Sequence, residues 1–471
     1  MKTNMKKPVS SLACLVLALT CCFAFSDAGA QMRNSRGAVQ ITPYKTTLIA
    51  NGKDEVKIRV VVIDAEGNEV KDAKNQVKFS LQGDAKITRI APERNSQAGK
   101  AVNDTSAEAQ LQNGILWVTL TSGTTIGHIK FEAKADSLWT GATEIHEIKP
   151  GKPHPVTTAK YTPHRVKEKI LGADISFLPQ LESRGEKFSD KGVPGDPIQL
   201  MHSHGFNYIR LRIFVDPSEP KGYSPGKGFC DLAHTEAMAK RIKAAGMGFL
   251  LDFHYSDYWA DPQQQNKPAA WAGEDFTQLK KSLHDYTVKV MQALKEQGTT
   301  PDMVQIGNEI NHGMVWPEGA INNLDSLAQL IYAGFKGVRE VSPSTIIMLH
   351  IALGGQNQEA RFFLDNMKAR HVPFDVIGLS YYPRWHGTIE DLKNNMADLA
   401  KRYPQQVMVA EYSQLKREVN DVAFDVPYDK AVGSFIWEPL NSWEGIFDRN
   451  GKANDYLNVV FPEIAKKYHV H

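Results

Sequence analysis

The chain has 471 residues, enough for two or three domains of ordinary size. Hydrophobic residues make up 42% and charged residues 23%, which fits a globular protein and excludes disordered or fibrous classes. Its 55 Lys and Arg nearly balance 53 Asp and Glu, so no basic excess points to nucleic acid or an anionic membrane as a partner.

In chain order, Lys2, Lys6 and Lys7 precede an apolar run from Leu12 to Phe25. Ala28-Gly29-Ala30 then supplies the small residues that signal peptidase accepts. The run is shorter than the roughly 20 residues that span a bilayer. Residues 1–30 are therefore expected to be an export signal directing the protein to the periplasm, cell surface or exterior. Cleavage before Gln31 is the main expectation, with lipidation at Cys21 or Cys22 as the alternative. Cleavage removes Cys14, Cys21 and Cys22, leaving Cys230 without an intrachain disulfide partner, most simply as a small buried residue.

Residues 31–150 are expected to form a small all-β, immunoglobulin-like sandwich. Val56–Ile63, Val77–Leu81, Gly114–Leu120 and His128–Ala133 have strand character, and Asn113-Gly114 and Ser122-Gly123 mark turns. The region is either a spacer or a carbohydrate-binding module using Trp117 or Trp139. The spacer is the plainer expectation, because Trp117 lies in an apolar strand. Residues 151–168 are expected to be an extended, semi-rigid linker, since residues 149–164 hold four Pro.

Over residues 169–471 the period changes. Strand-like runs at 172–176, 206–214, 248–254, 303–309, 345–351, 374–382, 406–412 and 431–438 alternate with helical spacing, clearest at 276–294, 324–338 and 389–399. Gly246 stands where the helical run 232–245 needs a C-terminal cap. Eight such units predict an α/β fold, a (β/α)8 TIM barrel. A doubly wound sheet would want a Gly-rich phosphate turn, which is absent, and no nucleotide cofactor is expected. Residues 414–430 leave room for at most a short helix.

Barrel active sites lie where the strands end. Those ends read Arg210-Leu-Arg212, Asp252-Phe-His254, Gly307-Asn308-Glu309, Ser380-Tyr-Tyr382, Ala410-Glu411-Tyr412 and Trp437-Glu438. No Ser/His/Asp hydrolase order appears, and His254 and His350 lack partners at metal-ligand spacing, so no metal or other cofactor is expected. Two carboxyl groups suffice for glycosidic cleavage when one is protonated and the other ionised. Glu309 and Glu411, on the fourth and seventh strands, fit that division, with Asn308 placed to bind a sugar hydroxyl. A structural ion pair with Arg210 or Arg212 is the competing reading for either glutamate alone. Aromatic residues in predicted strand ends and loops, including Tyr255, Tyr258, Trp259, Trp271, Trp316, Trp385, Trp437 and Trp443, offer flat faces to sugars.

The segments GADISFLPQLESRG (172–185), NYIRLRIFVDP (207–217), LDFHYSDYWADPQQQNKPAAW (251–271), VQIGNEINHGMVWPEG (304–319), DVIGLSYYPRWHGTIEDLKNN (375–395) and VAEYS (409–413) resemble family 53 of the glycoside hydrolases. These are the endo-β-1,4-galactanases of clan A. The resemblance implies Glu309 as acid/base, Glu411 as nucleophile, and net retention with carboxyl groups about 5–5.5 Å apart. It implies Arg210 or Arg212 holding Glu411 ionised, Asn308 at the sugar 2-hydroxyl and Trp437 under the reacting sugar. His254, Asp257, Trp259, Asp261, Tyr382, Trp385 and His386 are further expected substrate contacts. The implied substrate is β-1,4-galactan, the side chain of pectic arabinogalactan. The connection after strand eight, through Asn441, Trp443 and Asp448, is shorter than in the family, which speaks against the calcium some relatives hold there and for a more open cleft. The competing readings are another clan A activity, such as β-mannanase or β-glucanase, and a non-catalytic carbohydrate-binding protein. The sequence leaves the oligomeric state open.

Overall fold

The computed structural model describes residues 37–471 except Glu66, Gln97, Ala98, Leu353 and residues 441–444. The expected export signal with its cysteines, together with Asn441 and Trp443, lies outside the described residues.

Residues 38–148 form a sandwich of two five-stranded sheets. One runs in the order 38–43, 55–63, 115–122, 85–91, 100–104, and the other 47–49, 141–148, 127–134, 76–82, 106–110. Alternation builds its core: along Gln76–Gln82, Val77, Phe79 and Leu81 are buried between exposed polar residues. Trp117 is buried against Tyr44, whereas Trp139 is half exposed. The edge strands Lys100–Asp104 (KAVND) and Ser106–Gln110 (SAEAQ) escape a hydrophobicity reading because an edge needs little apolar side chain.

The linker is a strap across the barrel floor. Val156 N–H donates to the Arg370 carbonyl at 2.8 Å. The Tyr161 hydroxyl and the His164 amide both donate to Asp375 Oδ1, at 2.5 and 2.7 Å. The Val166 amide donates to Gln406 Oε1 at 2.8 Å. Asp375 and Gln406 stand at the starts of the sixth and seventh barrel strands and Arg370 at the end of the helix before the sixth, so the strap closes the end opposite the expected site.

Eight parallel strands close the barrel in sequence order: Ile170–Asp174, Tyr208–Ile213, Gly248–Phe253, Met303–Ile306, Ile346–Ile351, Val376–Tyr381, Gln406–Tyr412 and Ala431–Trp437. Ile170, Tyr208, Leu250, Met303, Met348, Val376 and Met408 form an apolar layer near the floor. Gly172 leaves room there, since a Cβ would stand 2.3 Å from the Phe435 ring. Further along the same strands the positions of the same parity turn polar: Asp174, Arg210, Asp252, Gln305, His350 and Ser380, all buried. Helices cover the outside, including Phe276–Glu296, Leu324–Val341 and Ile389–Arg402. Gly246 takes φ 75° beyond the helix Leu232–Ala244, and the expected short helix before strand eight is Lys416–Phe424.

Two departures from the expected strands shape the site. Strand four stops at Ile306, because Gly307 (φ 76°) and Glu309 (φ 49°) turn left-handed and leave the ladder. Strand seven carries a bulge. Leu379 pairs with Val409 but Ser380 pairs with Glu411, so Ala410 is supernumerary. Met408 and Ala410 both belong to the interior cluster. In an unbroken strand Glu411 would point to the opposite face, toward the helices, and the bulge brings it to the interior.

Candidate active site

Arg210 is the hub of the polar layer. Its Nη1 lies 2.8 Å from both Asp174 Oδ2 and Glu411 Oε1. Its Nη2 donates to Asp252 Oδ2 (2.9 Å), Asn308 Oδ1 (3.0 Å) and Gln305 Oε1 (3.1 Å). A fully buried guanidinium requires such saturation. The Tyr382 hydroxyl donates to the other oxygen of Glu411 at 3.1 Å.

The two glutamates have different surroundings. Burial and the Glu411 charge push the Glu309 carboxyl well above the usual range. Burial also raises Glu411, but Arg210 opposes the rise. The pair therefore holds its proton on Glu309 and its charge on Glu411.

A chain of hydrogen bonds favours the same state. His350 is fully buried, and burial followed by the Arg210 charge holds its ring well below the usual imidazole range. Its Nδ1 lies 2.9 Å from Asn308 Oδ1, an acceptor, so Nδ1 carries the single hydrogen. Its Nε2 must then accept from Ser380 Oγ, 2.8 Å away. Ser380 Oγ is also 2.5 Å from Glu309 Oε1. With Glu309 ionised, Ser380 donates to it and His350 Nε2 loses its donor. With Glu309 protonated the direction reverses, and every contact in the chain is satisfied.

An aromatic wall stands beside this layer. Trp259 lies 6.1 Å from Phe177 and 6.3 Å from Trp437, centroid to centroid. The Arg212 guanidinium sits behind it, 4.3 Å from Trp259 and 4.5 Å from Phe177, and Nη1 is 2.5 Å from Glu438 Oε1. Its Nε and Nη2 have no hydrogen-bond partner among the described residues, and the ring faces stand in for one.

Other expected contacts are placed differently. Arg212 pairs with Glu438, and Arg210 alone of the two reaches Glu411. His254 is buried behind the wall with both nitrogens engaged, Nε2 by Asp252 at 3.0 Å and Nδ1 by the Ala260 amide at 3.1 Å. Asp257 accepts from the Asp216 and Ala269 amides at 2.9 and 2.7 Å, tying two loops together. Asp261 accepts from the Gln263 and Gln264 amides within its own turn. His386 is buried, with Nδ1 3.0 Å from the Ser380 carbonyl. His254, Asp257 and Asp261 thus brace the loops, and His386 does so through Nδ1. Tyr255 and Trp271 are buried in the core. Asn308 commits one amide hydrogen to the Ala260 carbonyl at 2.8 Å and keeps the other. Trp385 is 46% exposed, and Trp259 and Trp437 are partly so. In the sequence no site role is assigned to Ser380, His350, Gln305, Asp174 or Glu438, although Ser380 and Glu438 stand at strand ends. Extending the inward register of each strand past its apolar residues would have found the first four.

Among the described residues, no group of three or more His, Cys, Asp or Glu side chains is placed to hold a metal ion, and no helix is long and apolar enough to cross a membrane.

The family model described as Glycosyl hydrolase family 53 matches residues 170–435, and Glycoside hydrolase family 2 C-terminal domain 5 matches residues 39–144. The chain is 44% identical over 251 residues to an uncharacterized protein of Niallia circulans, covering 51% of this chain and 66% of that one. It is 35% identical over 248 residues to an endo-β-1,4-galactanase of Bacillus subtilis strain 168, covering 52% and 57%. The chain thus spans less than two thirds of the length of either relative. A solved family 53 catalytic domain of Ignisphaera aggregans superposes with a TM-score of 0.60 at 32% identity, covering 66% of this chain and 99% of that domain.

Proposed function

The chain belongs to glycosyl hydrolase family 53, and from that premise we propose that it is an exported, endo-acting, retaining hydrolase of β-1,4-galactosidic bonds in galactan. The observation that carries this reading is the placement of the pair: both glutamates are buried, Arg210 at 2.8 Å favours the anion of Glu411, and burial with that charge favours the proton on Glu309. The name of the Bacillus subtilis relative supports galactan as the substrate, and the composition of residues 1–30 supports export.

In the proposed reaction the Glu309 proton passes to the leaving glycosidic oxygen as the C–O bond breaks. Glu411, aligned by Arg210 and Tyr382, attacks the anomeric carbon and forms a glycosyl ester. Glu309, now ionised, takes a proton from water as that water displaces Glu411 with a second inversion, giving net retention. The pathway requires no cofactor. Exposed Trp385 and the wall of Trp259 and Trp437 supply apolar faces for galactosyl rings. The short connection after strand eight supports a cleft open at that end, and a product spread equal to that of a long-loop relative would count against it.

Reducing-sugar release from galactan, mannan and a cellulose derivative tests the substrate, and the anomer first released, read by NMR, tests retention. Release from galactan alone, with Glu309→Gln and Glu411→Gln each losing about 10³-fold or more in kcat, is expected. Preferential turnover of mannan, or substantial residual activity in either variant, would overturn the reading.

A further inference from the structure

We propose that the N-terminal sandwich is a positioning element of the catalytic cleft: it clamps the turn Pro383–His386 and thereby sets Trp385 for a distal galactosyl unit. The identity of that sugar rests on the galactanase reading; the clamp does not.

The first strand of the sandwich lies against this turn, and Gln40 Nε2 donates to the Arg384 carbonyl. The barrel holds the next carbonyl, that of Trp385, through Gln356 Nε2 at 2.9 Å. Successive carbonyls of one short turn are thus fixed from two domains. The same clamp reaches the helix that follows. The Tyr44 hydroxyl donates to Asp391 Oδ2 at 2.7 Å, and Arg94 Nη1 lies 3.1 Å from Asp391 Oδ1. Arg94 is stacked on the Tyr44 ring at 3.7 Å, which holds both groups in place. Asp391 is also the capping partner of Thr388, accepting from its backbone amide at 3.0 Å.

A turn this short has no core of its own, so its conformation is set by what it is tied to. Trp385 has a fixed backbone and is 46% exposed, with the Arg384 guanidinium 5.4 Å from its ring centroid, which leaves aromatic surface for a sugar platform. Immediately before the turn, Tyr382 donates to Glu411. The sandwich touches a second rim segment as well. Thr46 Oγ1 lies 2.7 Å from His312 Nε2, on the turn that begins with Glu309. A spacer joined by a strap would leave these loops alone. The sandwich instead provides polar anchors to both, aimed at a backbone carbonyl and a capping carboxylate on the first and at an imidazole on the second.

The test uses the full chain carrying Gln40→Ala and Tyr44→Phe together, with Trp385→Ala as the partner change. The KM for galactan is expected to rise about five- to tenfold, as for two lost hydrogen bonds, while kcat on a short aryl β-galactobioside stays within about twofold. In the double-mutant cycle, the clamp variant in the Trp385→Ala background should cost little more than Trp385→Ala alone. Amide hydrogen exchange over residues 382–388 should quicken, with the barrel strands unchanged. Equal losses on long and short substrates, additivity with Trp385→Ala, or unchanged exchange would each overturn the proposal. If the unaltered protein fails to turn over galactan, the substrate assignment falls, and the exchange measurement still decides whether the sandwich holds the turn.

Discussion

Burial and the Glu411 charge both favour the protonated form of Glu309, and this links the chemistry to stability. At neutral pH the unfolded chain releases that proton, because its carboxyl has the ordinary value near 4.3. The folded chain holds it to higher pH, so folding is disfavoured over the range above the ordinary carboxylate value. Below pH ~4 both states are protonated and the penalty vanishes. Glu309→Gln mimics the protonated group and can donate to Ser380 Oγ. It is expected to raise Tm by roughly 2–5 °C at pH 7 and by nothing near pH 3.5. Thermal scans at the two pH values check this, and a pH-independent change would refute the linkage. Tyr382 bears on the other partner, since its hydroxyl hydrogen bond favours ionised Glu411. Tyr382→Phe removes it, the apparent pKa of the pair's first ionisation rises, and the acidic limb of kcat/KM moves up by about 0.5–1 pH unit. A limb that stays in place while kcat falls would mean that Tyr382 only orients the carboxylate.

At the scale of elements, the eight barrel strands were legible because buried parallel strands are apolar runs separated by helical periods. What lay inside them was only partly legible. Glu309 and Glu411 stood out as charges at strand ends, whereas Ser380, His350 and Gln305 are polar residues whose meaning depends on a register across three strands. The bulge at Ala410 is invisible in one sequence, because it is a mismatch between neighbours. Arg210 and Arg212 have the same parity, and only the three-dimensional placement of Asp174, Glu411 and Glu438 separates their roles. The Pro-rich stretch was legible as extended but not as docked. Its anchor is Asp375, a fully buried carboxylate that also accepts from Arg339 Nη2 at 2.9 Å and the Ile347 amide at 2.8 Å. Asp375→Asn removes the charge and one acceptor while keeping the volume. Tryptic cleavage after Lys160 or Arg165 is then expected to accelerate about tenfold, as for the loss of one charge-assisted hydrogen bond. Cleavage at the unaltered rate would mean that the strap is held by its apolar contacts instead.

Over the whole molecule, the junction between sandwich and barrel has the character of an interior. Ile148 belongs to the barrel's buried cluster and Ile49 packs against it. Glu359, on the helix Asn357–Ala369, is 1% exposed. Its carboxylate accepts from the Thr46 amide (2.8 Å), the Thr47 amide (3.1 Å) and the Thr47 hydroxyl (3.0 Å), all from the sandwich. In the sequence Glu359 is an ordinary acid in the first turn of an amphipathic helix, and Thr46-Thr47 an ordinary polar pair. Their meeting depends on residues more than 300 positions apart, which no local pattern encodes. If the sandwich unfolded first, the three hydrogen bonds that Glu359 accepts across the junction would be lost together, a loss of several kcal/mol at about 1.5 kcal/mol for each charge-assisted bond. That is a large share of the roughly 5–15 kcal/mol that holds a domain folded. The two domains are therefore expected to melt as one calorimetric transition. Glu359→Ala leaves the two threonine amides unsatisfied at about 1–3 kcal/mol each and removes the coupling. The endotherm should then split, the smaller sandwich melting first and the barrel close to its original temperature. Two transitions in the unaltered protein, or a single undivided one in Glu359→Ala, would show that the coupling resides elsewhere in the interface.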